Sequence, residues 1–195
     1  MLDWSAIATA TAAVVALIVG IAPLVWAKCQ RARIGRAKAR IAEVDLKVQA
    51  LHLAAGLQLI SEGSTRLHYF RVATRQFRVL NADSCRDLVP YLDSLPNNLE
   101  APLSDVISDI GIGIRLLEDL EPKDRSRVVN TTGPRALYTD ILESMQVART
   151  ALSKVIGNGY TLEPVDSEAV RMAEALRKEA IDELLDESKA GPRVR

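Results

Sequence analysis

The hydrophobic pattern begins with a long apolar run near the N-terminus. Residues Ser5 to Ala27 form a stretch of twenty-three residues without an ionisable side chain. As a helix this stretch would be about 35 Å long, enough to cross a hydrocarbon core of about 30 Å. Trp4 and Trp26 bracket it, and indole side chains favour the two headgroup regions of a bilayer. The pattern predicts a single transmembrane helix within residues 1–27.

The charges on the two sides of this run differ. Asp3 is the one charged side chain before it, whereas six basic residues follow it before the first acid, Glu43: Lys28, Arg31, Arg33, Arg36, Lys38 and Arg40. Positively charged flanks stay on the cytoplasmic side, so we expect the N-terminus outside and the remainder inside, in a cell or inner membrane. We expect these bases and the two tryptophans to form the membrane interface, with anionic lipid headgroups as a partner.

A cleaved signal peptide and a buried core helix are the alternatives to an anchor. A signal peptide carries positive charge before its apolar run and small residues at the cleavage site. Here Asp3 precedes the run and Val25-Trp26-Ala27 ends it. Core helices rarely exceed about twenty residues without a polar face. The sequence therefore favours the anchor.

Small residues recur at every fourth position inside the run: Ala8, Ala12, Ala16 and Gly20. Such a row lets two helices approach closely in lipid, so we consider it a possible helix–helix packing face. An alanine-rich segment also produces such rows by chance.

A seven-residue repeat follows the run. Apolar residues occupy its a and d positions for about three heptads: Ile34, Ala37, Ile41, Val44, Val48, Leu51 and Ala55. The flanking e and g residues are mainly basic and would repel in a parallel homodimer: Arg33, Lys38, Arg40 and Lys47. Further apolar residues widen the surface: Leu46, Leu53, Leu57 and Ile60. We therefore favour a neck that becomes the first bundle helix over a free coiled coil.

The rest of the chain shows helical stripes separated by Gly, Pro and Ser, and no convincing alternating strand. The fifth predicted helix starts with Pro134 in its first turn and ends at Gly157. Its predicted apolar stripe is Leu137, Ile141, Met145, Ala148, Leu152 and Val155. The last predicted stripe is Val170, Ala173, Ala180, Ile181 and Leu184. We predict an all-α protein, an N-terminal single transmembrane helix followed by a cytoplasmic antiparallel helical bundle. Its predicted parts are the anchor 1–27, a basic juxtamembrane neck and first bundle helix 28–62, the bundle domain 63–189 and a flexible tail 190–195.

Charge is unevenly distributed although the formal net charge is zero. Residues 1–80 carry eleven Lys and Arg against four acids, for +7, and residues 81–195 carry fourteen against twenty-one, for −7. The acidic second part argues against a nucleic-acid partner. Arg71, Arg75 and Arg78 share one helix face, and we consider them a possible binding site for a protein partner or for membrane headgroups.

Candidate chemistry is sparse. His52 and His68 lack a second ligand at helical metal-site spacing, and Gly111-Ile112-Gly113 lies in a helical stripe, where it favours close helix packing. We predict no catalytic, metal-binding or cofactor-binding residue. The leading hypothesis is a non-enzymatic interaction or scaffold protein at the membrane, with a protein partner or a homo-oligomer. The alternative is a membrane-tethered enzyme or sensor of a membrane-associated small molecule.

Overall fold

A computed structural model of the protein describes the backbone of residues 4–95, 98–119, 128–157 and 165–189, and their side chains except at 4–10, 118–119 and 186–189. Its longest element is one helix, α1 (Trp4–Leu59), of 56 residues. At 1.5 Å per residue this helix is about 84 Å long. The apolar run and the neck are therefore one continuous rod. It ends shortly before Gly63, whose φ of +82° suits a residue without a Cβ atom.

The other elements are short by comparison. In chain order they are β1 (Ser64–Arg66), α2 (Leu67–Phe77), α3 (Asp83–Arg86), a 3-10 segment (Val89–Ser94), α4 (Glu100–Asp119), β2 (Val128–Asn130), α5 (Thr132–Ile156) and α6 (Asp166–Lys189). The predominance of helix confirms the predicted all-α class. Pro134 lies in the first turn of α5, and Gly157 follows its end with a φ of +116°, as predicted. The predicted tail 190–195 lies outside the described residues.

Two short strands correct the expectation that the chain has none. β1 and β2 pair antiparallel, with Thr65 opposite Val129. The hydroxyl of Thr131 donates to the carbonyl of Ser61 at 2.7 Å and helps to hold this junction. A three-residue strand is too short to show alternation, and its partner is more than sixty residues away in the sequence. The pairing has no local signal.

The core is built on one face of α1. Its second half contacts α2, α5 and α6, and its buried residues are mainly small or aliphatic: Ala39, Ala42, Leu46, Ala50 and Leu53. Alanines let the neighbouring helices approach closely. The predicted stripe of α5 is buried, with Leu137 at its edge: Ile141, Met145, Ala148, Leu152 and Val155.

Two helix faces differ from the sequence prediction. In α6 the buried residues are Ala169, Ala173, Leu176 and Ala180, whereas Val170, Ile181 and Leu184 are exposed. In the neck, the apolar a and d positions of the seven-residue repeat are largely exposed, and the opposite face of the helix is buried. In both helices alanine occupies the contact, because a small side chain permits a short distance between helix axes. Larger aliphatic side chains then remain on the outer face.

A buried ion pair connects α1 to α5. Nε and Nη2 of Arg149 both donate to the Glu43 carboxylate, at 3.1 Å and 3.0 Å. The two side chains are 2% and 0% exposed. Because a buried charge without its partner is strongly destabilising, this pair fixes how the two helices face each other.

The glycine pair of α4 supports the predicted close packing at one of its two positions. A Cβ atom on Gly113 would lie 2.6 Å from Cδ1 of Ile141, whereas one on Gly111 would meet nothing within 4 Å. The hydroxyl of Tyr138 donates to the Gly113 carbonyl at 3.2 Å. Burial raises the pKa of Tyr138. Gly113 therefore permits the close approach of α4 to α5.

Candidate interaction surfaces

The first half of α1 is exposed wherever its side chains are described. All side chains from residue 11 to residue 29 are exposed, and Trp26 is 66% exposed. By length and composition this helix could cross a membrane, and none of its most apolar window is buried. The side chains of Trp4 and Ala8 lie outside the described set. The described members of the small-residue row, Ala12, Ala16 and Gly20, are exposed.

The basic residues after the run divide into two groups. Nη2 of Arg31 donates to the Pro90 carbonyl at 2.6 Å, and Nζ of Lys38 donates to Asp87 at 2.7 Å. The hydrogen bond and the charge of Asp87 raise the pKa of Lys38. The other four bases are exposed: Lys28, Arg33, Arg36 and Arg40. The bundle thus engages two of the six bases and leaves four directed toward the surroundings.

The 3-10 segment lies beside this basic stretch, a placement that sequence patterns did not indicate. A Cβ atom on Gly35 would lie 3.2 Å from Cβ of Tyr91 and 3.3 Å from the side chain of Leu95. Arg31 also approaches Asp93 at 3.4 Å. The absence of a side chain at Gly35 therefore allows the segment to pack against α1 close to the apolar run.

Polar groups fix α3 and the preceding loop to the neck. The hydroxyl of Ser84 donates to Asp45 at 2.6 Å. The Gln49 amide donates to Asp45 and to the Asn81 carbonyl, and it accepts from the Asn81 backbone N–H at 2.8 Å. These bonds satisfy partly buried groups and hold the bundle on one side of α1.

On the opposite side of the neck lies an apolar surface that we call the outer stripe: Ile34, Ala37, Ile41, Val44 and Val48. Ile41 and Val44 are 59% and 55% exposed, and Ile34 and Val48 are 46% and 44% exposed. Leu51 is half-buried and Ala55 is buried, because the bundle surrounds the end of α1. The stripe is a row of large aliphatic side chains in contact with solvent.

The arginine face of α2 meets the acidic face of α6. Arg75 donates to both carboxylate oxygens of Glu183, at 2.6 Å and 3.1 Å, and to Glu179 at 3.3 Å. Hydrogen bonding to Glu183 raises the pKa of Arg75. Arg71 on the same helix and Arg78 directly after its end are exposed. The structure therefore gives Arg75 partners within the chain.

The histidines and cysteines take part in local packing. Nδ1 of His52 lies 2.8 Å from Oε1 of Gln76, and the rings of His68 and Tyr69 are 4.2 Å apart. Burial raises the pKa of the Cys85 thiol to about 11, whereas Cys29 is exposed. Within the described ranges, no cluster of three or more His, Cys, Asp or Glu is arranged to hold a metal ion.

A partly open cleft of about 340 Å³ lies where α1 ends and β1 begins. Its lining includes Gln58, Ser61, Arg66, Tyr69 and Arg177. Nη2 of Arg177 donates to the Gln58 carbonyl at 3.1 Å. The volume is in the range of small-ligand sites.

Comparison with known proteins finds no match: no family model, no curated protein and no solved structure is significantly similar to this chain.

Proposed function

We propose that this protein is a single-pass membrane protein that presents a helical interaction domain at the membrane surface. The proposal rests on the difference in exposure between the two halves of α1. Its apolar half is exposed from residue 11 to residue 29, while its other half is built into the bundle core. Exposing so many apolar side chains to water costs free energy, and a lipid environment removes that cost.

Continuity of α1 supports an anchor over the two alternatives. A core helix of a soluble protein would bury its apolar residues, and none of this window is buried. A signal peptide would leave at a cleavage site after the run, but here the helix continues through residues 27–35 without a break. The exposed bases nearest the run, Lys28 and Arg33, would then lie at or beside the headgroups, each worth about 1 kcal/mol near an anionic surface.

Membrane attachment is tested by fractionation. We expect the full-length chain in the high-speed pellet and expect it to stay there after an alkaline carbonate wash, which removes peripheral proteins. Recovery in the detergent-free supernatant would overturn the proposal, because an anchored helix of this length does not leave the bilayer.

Orientation requires a different reporter. We propose the N-terminus outside and the bundle in the cytoplasm, from the basic residues after the run. Cys85 is shielded by the fold on either side of a membrane, so we suggest Glu62→Cys, at an exposed position, combined with Cys29→Ala. An impermeant maleimide should label this cysteine only after permeabilisation. Labelling of intact cells would reverse the proposed orientation.

The interaction role rests on the arginine face of α2. We propose that Arg71, Arg75 and Arg78 bind a protein partner, with Arg75 already ordered by Glu183. The double change Arg71→Glu and Arg78→Glu should remove a partner that is recovered with the wild type in mild detergent. Arg115→Glu, an exposed site on α4, is the matched control. Identical recovery from the double variant and the control would overturn this part.

The cleft beside Arg66 and Arg177 favours a second candidate, an enzyme or sensor for a small anionic molecule. The location of the cleft argues against a ligand that remains in the membrane. Leu59 lies thirty-two residues beyond Ala27, about 48 Å along the helix. A thermal shift with glycerol phosphate, lost in Arg66→Ala, would support this candidate. No shift with either glycerol phosphate or inorganic phosphate would remove it.

A further inference from the structure

We propose that two copies of this chain pair in parallel and in register through the outer stripe, and that the same seam continues through the apolar run. The inference rests on the proposed function, because anchoring in one bilayer is what makes two copies parallel and sets them at equal height. Beyond the proposed function, the inference names the partner that binds the outer stripe, which is a second copy of the chain.

The two faces of the neck differ in how they are covered. Ala39, Ala42 and Leu46 are buried against the bundle, whereas Ile41 and Val44 on the other side are 59% and 55% exposed. The bundle therefore occupies the side of α1 opposite to the outer stripe. A second α1 could lie along the stripe without displacing any of the elements that the structure describes.

Lipid cannot cover most of this stripe. Ile34 and Val48 lie seven and twenty-one residues beyond Ala27, about 10 Å and 32 Å along the helix. The headgroup layer on one side of a bilayer is only about 5–8 Å thick. The upper part of the stripe is thus surrounded by water, and only a protein surface can remove it from water.

The seven-residue repeat of the outer stripe indicates that this protein surface is the same helix of a second copy. Counted back into the apolar run, the same a and d positions fall on small residues and one proline: Ala13, Ala16, Gly20, Pro23 and Ala27. The large side chains of this part fall at other positions: Val14, Val15, Leu17, Ile18, Val19, Ile21, Leu24, Val25 and Trp26. In water, large aliphatic residues drive a coiled coil, whereas in lipid, small residues at the contact allow close packing. The part of the register that lies in water therefore has large aliphatic residues, and the part that would lie in lipid has small ones.

The combined length is sufficient for a stable pair. The neck alone gives about three heptads, the lower limit for a coiled coil. From Ala13 to Val48 the register runs for five heptads, about 54 Å of helix. Gln30, at the boundary of the run, is the one polar residue in the register between these two positions. A Cβ atom on Gly20 would meet nothing within 4 Å, so this face is open.

Charges beside the stripe fit a parallel pair better than the sequence pattern suggested. In such a pair, a g residue meets the e residue five positions later in the other helix. Arg40 then faces Asp45 of the second copy, an attractive pair. Arg33 faces Lys38 of the second copy, but Lys38 already bonds Asp87 at 2.7 Å, which compensates its charge. The repulsion expected from the basic flanks is thereby reduced.

Cysteine cross-linking tests the pairing in the full-length chain. The variants Ile41→Cys and Val44→Cys lie on the stripe, and Arg36→Cys is an exposed control on the same helix outside the register. Each is combined with Cys29→Ala and reconstituted at low density in vesicles of phosphatidylcholine and phosphatidylglycerol. Mild oxidation should give disulfide-linked dimers from positions 41 and 44 and none from position 36.

A charge substitution tests the apolar contact. Val44→Glu should reduce dimer formation by the Ile41→Cys variant by more than about tenfold, because an unpaired carboxylate would be buried at the seam. Val147→Glu is a closely matched control, since Val147 on α5 is 57% exposed and lies away from α1's stripe. Helicity measured by circular dichroism should be the same for both glutamate variants.

The outcomes separate this inference from the proposed function. Vesicle flotation on a density gradient reports the anchor, and cross-linking reports the pair. Chains that float but give no dimer at positions 41 and 44, or give equal dimer at position 36, would overturn the pairing and leave the anchor intact. Chains that fail to float would overturn the anchor, and the pairing with it.

Discussion

The two halves of α1 are both apolar but have opposite surroundings. From residue 11 to residue 29 every side chain is exposed, whereas from Gly35 to Leu59 one face is enclosed by the 3-10 segment, α2, α5 and α6. From residue 11 to residue 27 the first half has no ionisable side chain, and its large aliphatic side chains are all exposed. The second half has mainly alanine and leucine on its enclosed face, and its exposed side carries charged residues beside the outer stripe. Mean apolar content therefore does not determine what covers a helix, whereas the distribution of polar residues around it does.

The halves also differ in where charge is tolerated. The second half includes Glu43, which is fully buried but bonded by Arg149 at 3.0 Å. The described side chains of the first half, residues 11–29, are all exposed, so a charge introduced there would have to be solvated by the surroundings of the helix.

The largest effect is expected from charge placed inside the apolar run. The double change Val15→Arg and Val19→Arg should raise the free energy of membrane insertion by about 5–7 kcal/mol, from about 2.5–3.5 kcal/mol per central arginine. We expect the chain to move from the carbonate-resistant pellet to the supernatant or to aggregates. Val147→Arg, at a similarly exposed site on α5, should leave it in the pellet. Retention of the double variant would show that lipid does not surround this half.

The next effect concerns the buried pair in the second half. Arg149→Met leaves the Glu43 carboxylate buried without its partner and should lower the free energy of unfolding by about 3–5 kcal/mol. The double variant Glu43→Leu with Arg149→Met should recover most of this loss, because neither charge then remains. Urea unfolding in detergent, followed by circular dichroism, measures both. If Arg149→Met alone were as stable as the wild type, Glu43 and Arg149 would not form a buried ion pair.

A smaller effect on stability is expected when a single methyl group is added to a glycine in each half of α1. A Cβ atom on Gly56 would lie 2.5 Å from Cε1 of Phe77, whose ring stacks on Tyr138 with centroids 4.1 Å apart. Gly56→Ala should therefore cost about 1–3 kcal/mol of stability. Gly20→Ala, in the open half, should leave the unfolding of the bundle unchanged. Equal unfolding curves for both variants would contradict the close contact with Phe77.

The elements that sequence predicted well have a local signature. The exposed run follows from the absence of ionisable side chains, and α5 follows from Pro134, Gly157 and a regular stripe. The pair of Glu43 with Arg149 joins residues 106 positions apart, and the β1–β2 ladder joins three-residue segments, so neither has a periodic signal. The predicted stripe of α6 was right at Ala173 and Ala180 and wrong at Val170, Ile181 and Leu184, because small alanines rather than the larger side chains make the contact.

The smallest effect is expected at the exposed counterpart of the buried pair. Arg75 bonds Glu183 at 2.6 Å, but its side chain is 48% exposed, so water and salt screen the interaction. Arg75→Ala should lower the free energy of unfolding by about 0.2–1 kcal/mol. The loss should shrink at about 1 M salt, where the screening length falls to about 3 Å. Arg115→Ala, an exposed site on α4, should have no effect at either salt concentration. A loss at Arg75 as large as that at Arg149, and insensitive to salt, would mean that the α2–α6 contact excludes water and belongs to the core.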